Sequence, residues 1–276
     1  MDDKSIPIPS REIYITLMVP VRITLVNYLN TWPFKWGIEK CADTLLWAEI
    51  NYATPAECAR MLINRQTNIA LAPVAVLAFD PQLHIIRPFC LSTHTAVESV
   101  KLYSLKPVYE IKSVVLDNQS LSSVSLLKIL MRYHWKKEIH YVSAYEGYEK
   151  NMHTDAMLVI GDRTFALNGK YPYEYDLAAE WFHYFGKPFV FAAWISNVSL
   201  NPQQIYALNN ALEYGLTHLD EVIDDAIRRA SVLRFMSQDH RAHILRSYLR
   251  NNLHYYLDED RQSSIQHFIH LMKTME

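Results

Sequence analysis

Apolar residues fall along this chain in short runs of two kinds. Compact runs such as Val21 to Val26, Ser113 to Leu116, Ala156 to Ile160 and Phe189 to Ile195 have the length and β-branched content of buried strands. Shorter runs at Ile85-Ile86, Val100 to Tyr103 and Ile139 to Val142 predict further strands, and Asn68 to Leu77 predicts a buried strand entering a short helix. Between them stand helical signals. Thr54-Pro55-Ala56-Glu57 combines a capping hydroxyl, a proline at the first helical position and an acid three residues after the cap, ahead of Ala59, Met61, Leu62 and Ile63. A helix is also expected from about Ser122 to Trp135. After Pro202 the apolar residues Ile205, Leu208, Leu212, Leu216, Leu219 and Ile223 recur at three and four, so the remainder reads as helical.

Strands alternating with helices predict an α/β protein with a largely parallel sheet. Lys106-Pro107 and Gly186-Lys187-Pro188 interrupt the alternation and mark two crossings, at about 104–108 and 186–190. The expected organisation is a first lobe from 18–104 and 190–276, a second lobe inserted at 105–189, and an N-terminal extension of residues 1–17 without clear period. Two lobes joined by two strands leave a ligand cleft between them.

Composition removes several function classes. Lys and Arg number 27 against 29 Asp and Glu, a formal charge of −2, which supplies no field for nucleic acid or an anionic membrane surface. No run approaches the roughly 18 apolar residues of a membrane span. Met1-Asp2-Asp3-Lys4 reaches Pro7 and Pro9 before any apolar run, unlike the basic start and greasy middle of a secretion signal, so a cytoplasmic protein is expected. Cys41, Cys58 and Cys90 are odd in number and lack C-x-x-C spacing, which predicts reduced thiols. None of the six glycines forms a nucleotide-binding loop, and His240-x-x-His243 and His267-x-x-His270 lack the acid of a zinc-protease helix. Neither a metal nor a cofactor is expected.

Two stretches carry candidate chemistry. Val21 to Val26 runs into Asn27-Tyr28-Leu29-Asn30-Thr31-Trp32-Pro33-Phe34, where Asn30 or Thr31 can cap a helix whose first N–H groups face the cleft; a capped helix with Trp32 and Phe34 in the core is the simpler alternative. Leu116-Asp117-Asn118-Gln119-Ser120-Leu121-Ser122-Ser123-Val124-Ser125 places four hydroxyls at a helix start. Capping needs one of them, so an anion site is expected there.

These stretches, with Ile69 to Ala75, Val97-x-Ser99-Val100, Leu158-Val159-Ile160-Gly161-Asp162, Glu180-Trp181 and Gly186 to Trp194, resemble the chorismate dehydratases of the futalosine route to menaquinone, over about residues 21–255. The departures are His94-Thr95-Ala96, where a small approach to Val97 is expected, and Leu121, where a polar or basic residue is common. The resemblance implies a two-lobed, type II periplasmic-binding-protein-like fold and a lyase that removes water from chorismate to give 3-[(1-carboxyvinyl)oxy]benzoate. It further implies that Asn30 orients the substrate hydroxyl or the enolpyruvyl carboxylate, which can serve as its own base. Binding falls to Tyr28 and Thr31, to Ser92 and Ser99 in the first lobe, and to Ser120, Ser122 and Ser123 in the second. Asp162, after a strand ending at the cleft, either joins them or caps the next helix. The alternatives are a non-catalytic binder of small carboxylates and the dihydroxynaphthoate-forming enzyme of the same pathway.

Overall fold

The computed structural model describes residues 19–231 and 233–275; the extension read at 1–17 lies outside the described residues. The run Val21–Val26 forms strand β1, flanked in parallel by β2 (Ala48–Ala53) and β3 (Ile69–Pro73). Beyond β3 the sheet continues antiparallel through β10 (Phe189–Ser196) and β4 (His84–Thr93) to a short edge strand, β11 (His254–Tyr256). The six-stranded order is β11-β4-β10-β3-β1-β2. A second sheet has the order β7-β6-β8-β5-β9, from β5 (Val100–Ser104), β6 (Ser113–Leu116), β7 (His140–Ser143), β8 (Ala156–Ile160) and β9 (Tyr173–Asp176).

Both sheets are mixed, which corrects the expectation of a largely parallel sheet. β10 returns from the second lobe antiparallel to β3 and β4, and β5 runs antiparallel to both β8 and β9. The first crossing also lies earlier than 104–108. Val100–Ser104 pairs wholly within the second sheet, so the chain passes over at His94–Ser99, and the second passage at Gly186–Pro188 falls near its expected place. The proline signal at Lys106-Pro107 marks the turn after β5 rather than the passage.

Asp176 secures the first crossing. Its carboxylate caps α4 (Leu177–Phe185) by accepting from the N–H groups of Ala178 and Ala179, both at 3.1 Å. It also accepts from Val97 at 3.0 Å and Glu98 at 2.7 Å. Glu98 has φ of 66°, a left-handed conformation that non-glycine residues rarely hold, and two of these bonds fall on it and its neighbour. Burial pushes the Asp176 carboxyl up to about 6, with the backbone donors opposing the shift.

The helix at Thr54 forms as α2 (Pro55–Ile63) with a complete capping box: Glu57 N–H donates to the Thr54 hydroxyl and Thr54 N–H to the Glu57 carboxylate. The helix expected over 122–135 is α3 (Leu121–Ile129), which opens into a π turn at Leu130–His134. Along β8 the side chains alternate between two cores: Ala156, Leu158 and Ile160 join the large core shared with the first sheet, while Met157 and Val159 join a smaller cluster with Tyr103, Val115 and Tyr148.

On the outside of the first sheet, α1 (Trp32–Lys40) crosses α5 (Pro202–Thr217) at backbone contact. A Cβ on Gly215 would lie 1.8 Å from the Pro33 carbonyl oxygen, and one on Gly37 would lie 2.0 Å from that of Ala211. No rotamer relieves a backbone clash, so Gly215→Ala must separate the helices. We expect it to cost at least roughly 1–3 kcal/mol, read as a lowered thermal unfolding midpoint.

Candidate active site

Where the carboxyl end of β1 meets the start of α3, the two lobes enclose a narrow cavity of about 50 Å³. Its walls are mostly apolar, with Val26, Pro73, Leu91, Phe191 and Leu253 among them, and its polar groups come from Tyr28, Asn30, Ser99, Ser120 and Ser123. Among the described residues, no Lys, Arg, His, Asp or Glu side chain forms part of this wall. The position follows from the topology, since loops at the carboxyl ends of parallel strands line the crevice of open α/β sheets.

The lobes are fastened together around this cavity. The Tyr28 hydroxyl donates to the Gln119 side-chain oxygen at 2.6 Å, and the Gln119 carbonyl accepts from Ala56 N–H at 2.9 Å. Leu29 N–H donates to the Asp162 carboxylate at 3.1 Å, and Ala75 N–H donates to Ser122 Oγ at 3.1 Å. Gly161 adopts φ of 69°, and a Cβ there would meet the Tyr28 ring at 2.9 Å, so the absence of a side chain lets the two loops touch. Burial pushes the Tyr28 phenol well up, with the Arg163 guanidinium opposing.

The residues expected to bind therefore divide. Tyr28, Asn30, Ser99, Ser120 and Ser123 share the cavity. Ser120 also caps α3, accepting from Ser123 N–H at 3.2 Å, and its hydroxyl lies 2.9 Å from that of Ser123. Ser122 points instead to the turn after β3, as described. Thr31 is fully buried, its hydroxyl 2.6 Å from the Val26 carbonyl oxygen and 2.8 Å from that of Tyr28, where it pins the loop that presents Tyr28 and Asn30. Ser92 is engaged within the first lobe, donating to the His254 carbonyl and accepting from Arg261 Nε, both at 2.7 Å. Asp162 lines a separate polar hollow with Asn27, Lys35 and Arg229, and it is not the cap of the following turn, which begins after Ile160. Thr31, Ser92, Ser122 and Asp162 lie outside the wall of this cavity, and each is engaged by the protein contacts just described. Neither His94 nor Leu121 forms part of the wall: His94 packs on Phe182 with ring centroids 5.0 Å apart, and Leu121 faces a surface groove beside α2.

Asn30 has an unusual environment. Its side-chain oxygen is buried and has no hydrogen-bond partner. Behind Ser99 is Tyr248, a residue that sequence reading passed over because it sits among the C-terminal helices. Tyr248 begins a π turn (Tyr248–Asn252), is 2% exposed, and brings its hydroxyl to 2.7 Å from Ser99 Oγ. Gln119 was missed as well, since nothing in a serine-rich turn distinguishes the residue whose amide reaches the opposite lobe. A second buried network lies behind the cavity, where Asp117 accepts from Tyr148 at 2.9 Å and pairs with Arg163, which also pairs with Glu149.

Comparison with known proteins gives this geometry a family. Residues 21–274 match the family model described as menaquinone biosynthesis. The chain belongs to that family. It is similar to a chorismate dehydratase from Thermus thermophilus, at 28% identity over 239 residues covering 78% of this chain and 84% of the relative. Solved structures resemble it in fold: a protein from Archaeoglobus fulgidus at a TM-score of 0.70 and 14% identity, covering 93% of this chain and 97% of that one. Another is a Candida albicans protein with the generic periplasmic binding protein fold, at 0.61 and 9%, covering 93% and 91%. The two-lobed fold and the family read from the motifs are borne out, and no helix among the described residues of this family member is long and apolar enough to cross a membrane.

The Asp162 fastening carries a pH signature. Burial raises its carboxyl from 3.8 to about 7, opposed by the Leu29 N–H. With the folded value above the unfolded one, its contribution to stability is complete below about pH 4 and is lost as pH rises through about 7. Asp162→Asn keeps an acceptor for Leu29 without a charge to bury. Its unfolding midpoint relative to the parent is expected to rise between pH 5 and pH 8; a difference that does not vary with pH would refute the assignment.

Proposed function

We propose that this protein is a hydro-lyase that converts chorismate to 3-[(1-carboxyvinyl)oxy]benzoate and water, working in the cytoplasm. The observation that carries this reading is the unpartnered Asn30 oxygen, buried in an uncharged cavity whose opposite wall is the serine-bearing start of α3. A buried acceptor without a donor is a standing desolvation penalty of about 1–3 kcal/mol, which a ligand hydroxyl relieves. The family match and the Thermus thermophilus relative support the same substrate.

Chorismate carries a ring carboxylate, an enolpyruvyl carboxylate and a ring hydroxyl on carbon four. Ser120 and Ser123, at the positive end of α3, suit one carboxylate through hydroxyl and backbone donors. The hydrogen on carbon three is vinylogous to the ring carboxylate, so donors that hold extra charge on that carboxylate lower the barrier to removing it. The electron pair of the C3–H bond becomes the new ring double bond, the C4–O bond breaks, and the departing hydroxyl takes up the proton as water. The two ring oxygens are trans, so this hydrogen and hydroxyl share a face and one acid/base group can serve both. Asn30 accepts from the leaving hydroxyl and orients it. With no carboxylate, imidazole, amine or guanidinium side chain in the wall among the described residues, and the Tyr28 phenol held protonated by burial, the enolpyruvyl carboxylate of the substrate is the proton carrier.

Purified protein incubated with chorismate should release the aromatic product, followed by its ultraviolet absorbance and by mass. Asn30→Ala is expected to lower kcat by about 100-fold or more while leaving the unfolding midpoint near that of the parent. Binding of the aromatic dicarboxylate without any conversion would favour a receptor role instead.

A further inference from the structure

The loop that presents Asn30 is one short turn, Leu29–Thr31, between β1 and α1. Its backbone is pinned group by group. The Tyr28 carbonyl accepts from Thr31 N–H at 3.1 Å, Leu29 N–H donates to Asp162, and the Leu29 carbonyl accepts from Trp32 N–H. The Asn30 carbonyl cannot take the matching bond from the residue three further on, because Pro33 has no N–H. A donor reaches it from 225 residues away: the Tyr255 hydroxyl, 3.2 Å from the Asn30 carbonyl oxygen. Tyr255 belongs to β11, is 6% exposed, and packs its ring edge-on against Phe34 of α1 with centroids 5.4 Å apart, which fixes where its hydroxyl points.

Tyr255 is itself held from behind. Ser92 donates to the carbonyl of His254, the residue before it, and β11 is registered on β4 through His254 with Ser92 and Tyr256 with Phe89. Earlier on the same buried stretch Tyr248 donates to Ser99 at 2.7 Å, and Leu253 between the two tyrosines lines the cavity. Two cavity residues from separate parts of the fold, Asn30 and Ser99, are thus tied by tyrosine hydroxyls to one length of chain. We propose that Tyr255 is a positioning residue for Asn30: it holds the peptide that follows Asn30, and the segment 248–255 sets Asn30 against Ser99. This rests on reading Asn30 as a ligand contact and deepens that reading by naming what keeps it in place. Rotation of that peptide swings the Asn30 side chain, and a displacement of about 1 Å at a reacting group costs on the order of 100-fold in rate.

Tyr255→Phe removes the hydroxyl and keeps the ring on Phe34. We expect kcat on chorismate to fall about 10- to 100-fold, with an unfolding midpoint close to the parent's. In an Asn30→Ala background the same change should lower the remaining kcat by no more than about threefold, because Tyr255 acts through Asn30. Parental kcat in Tyr255→Phe, or the full loss in both backgrounds, overturns the proposal. Ligand-free crystal structures of the parent and Tyr255→Phe read the positioning without catalysis: the Asn30 side chain should be displaced or disordered in the variant, and an unmoved Asn30 overturns the proposal. A parent that does not turn over chorismate, with Asn30 displaced in Tyr255→Phe, refutes the proposed reaction and supports the positioning role. Should Tyr255→Phe fail to fold, Ser92→Ala, which releases the His254 carbonyl from outside the cavity wall, takes its place in the structural comparison with the same two outcomes.

Discussion

The cavity between the lobes is governed by one constraint: polar atoms withdrawn from water need partners, and here no formal charge is available in the wall to supply them. Tyr28 meets it through the Gln119 amide, Ser99 through the Tyr248 hydroxyl, and Ser120 through the first turn of α3. Asn30 does not meet it, and the exception stands where both lobes, the first crossing and the C-terminal π turn come together.

The lobes themselves are held by backbone groups as much as by side chains. Asp176 gathers N–H groups from the crossing and from α4, Asp162 takes that of Leu29, and Ser122 takes that of Ala75. Such contacts depend on the path of the chain and are tolerant of the residue type that supplies the N–H. They fix where the crossing strands lie, and the crossing fixes where Ser99 sits relative to Asn30.

Much of this was legible in the sequence. β1, β6 and β8 occupy the runs that predicted them, and the Thr54 capping box formed because its signal is local. Asn30, Ser99, Ser120 and Ser123 were found through short ordered motifs beside those elements. What was not legible depends on contacts distant in sequence. Val100–Ser104 reads as a strand in either lobe, and only pairing with β8 and β9 decides which. β11 is three residues long and borrows its stability from β4. Ser92, Ser122 and Asp162 have the right chemistry, yet their hydroxyl and carboxylate groups bond partners 162, 47 and 133 residues away, and those pairings are not visible in the local sequence. Tyr248 carries no motif at all, since its contact with Ser99 comes from where a π turn delivers its hydroxyl.

The uncharged wall has a consequence for how the protein meets its ligand in a cell. Oriented amides, hydroxyls and a helix terminus act over short distances, so mobile ions in the medium have little long-range attraction to screen. Encounter is left to ordinary diffusion, and capture becomes nearly indifferent to ionic strength. Selection at such a wall is a matter of dipoles in contact, and shape decides which molecule reaches them.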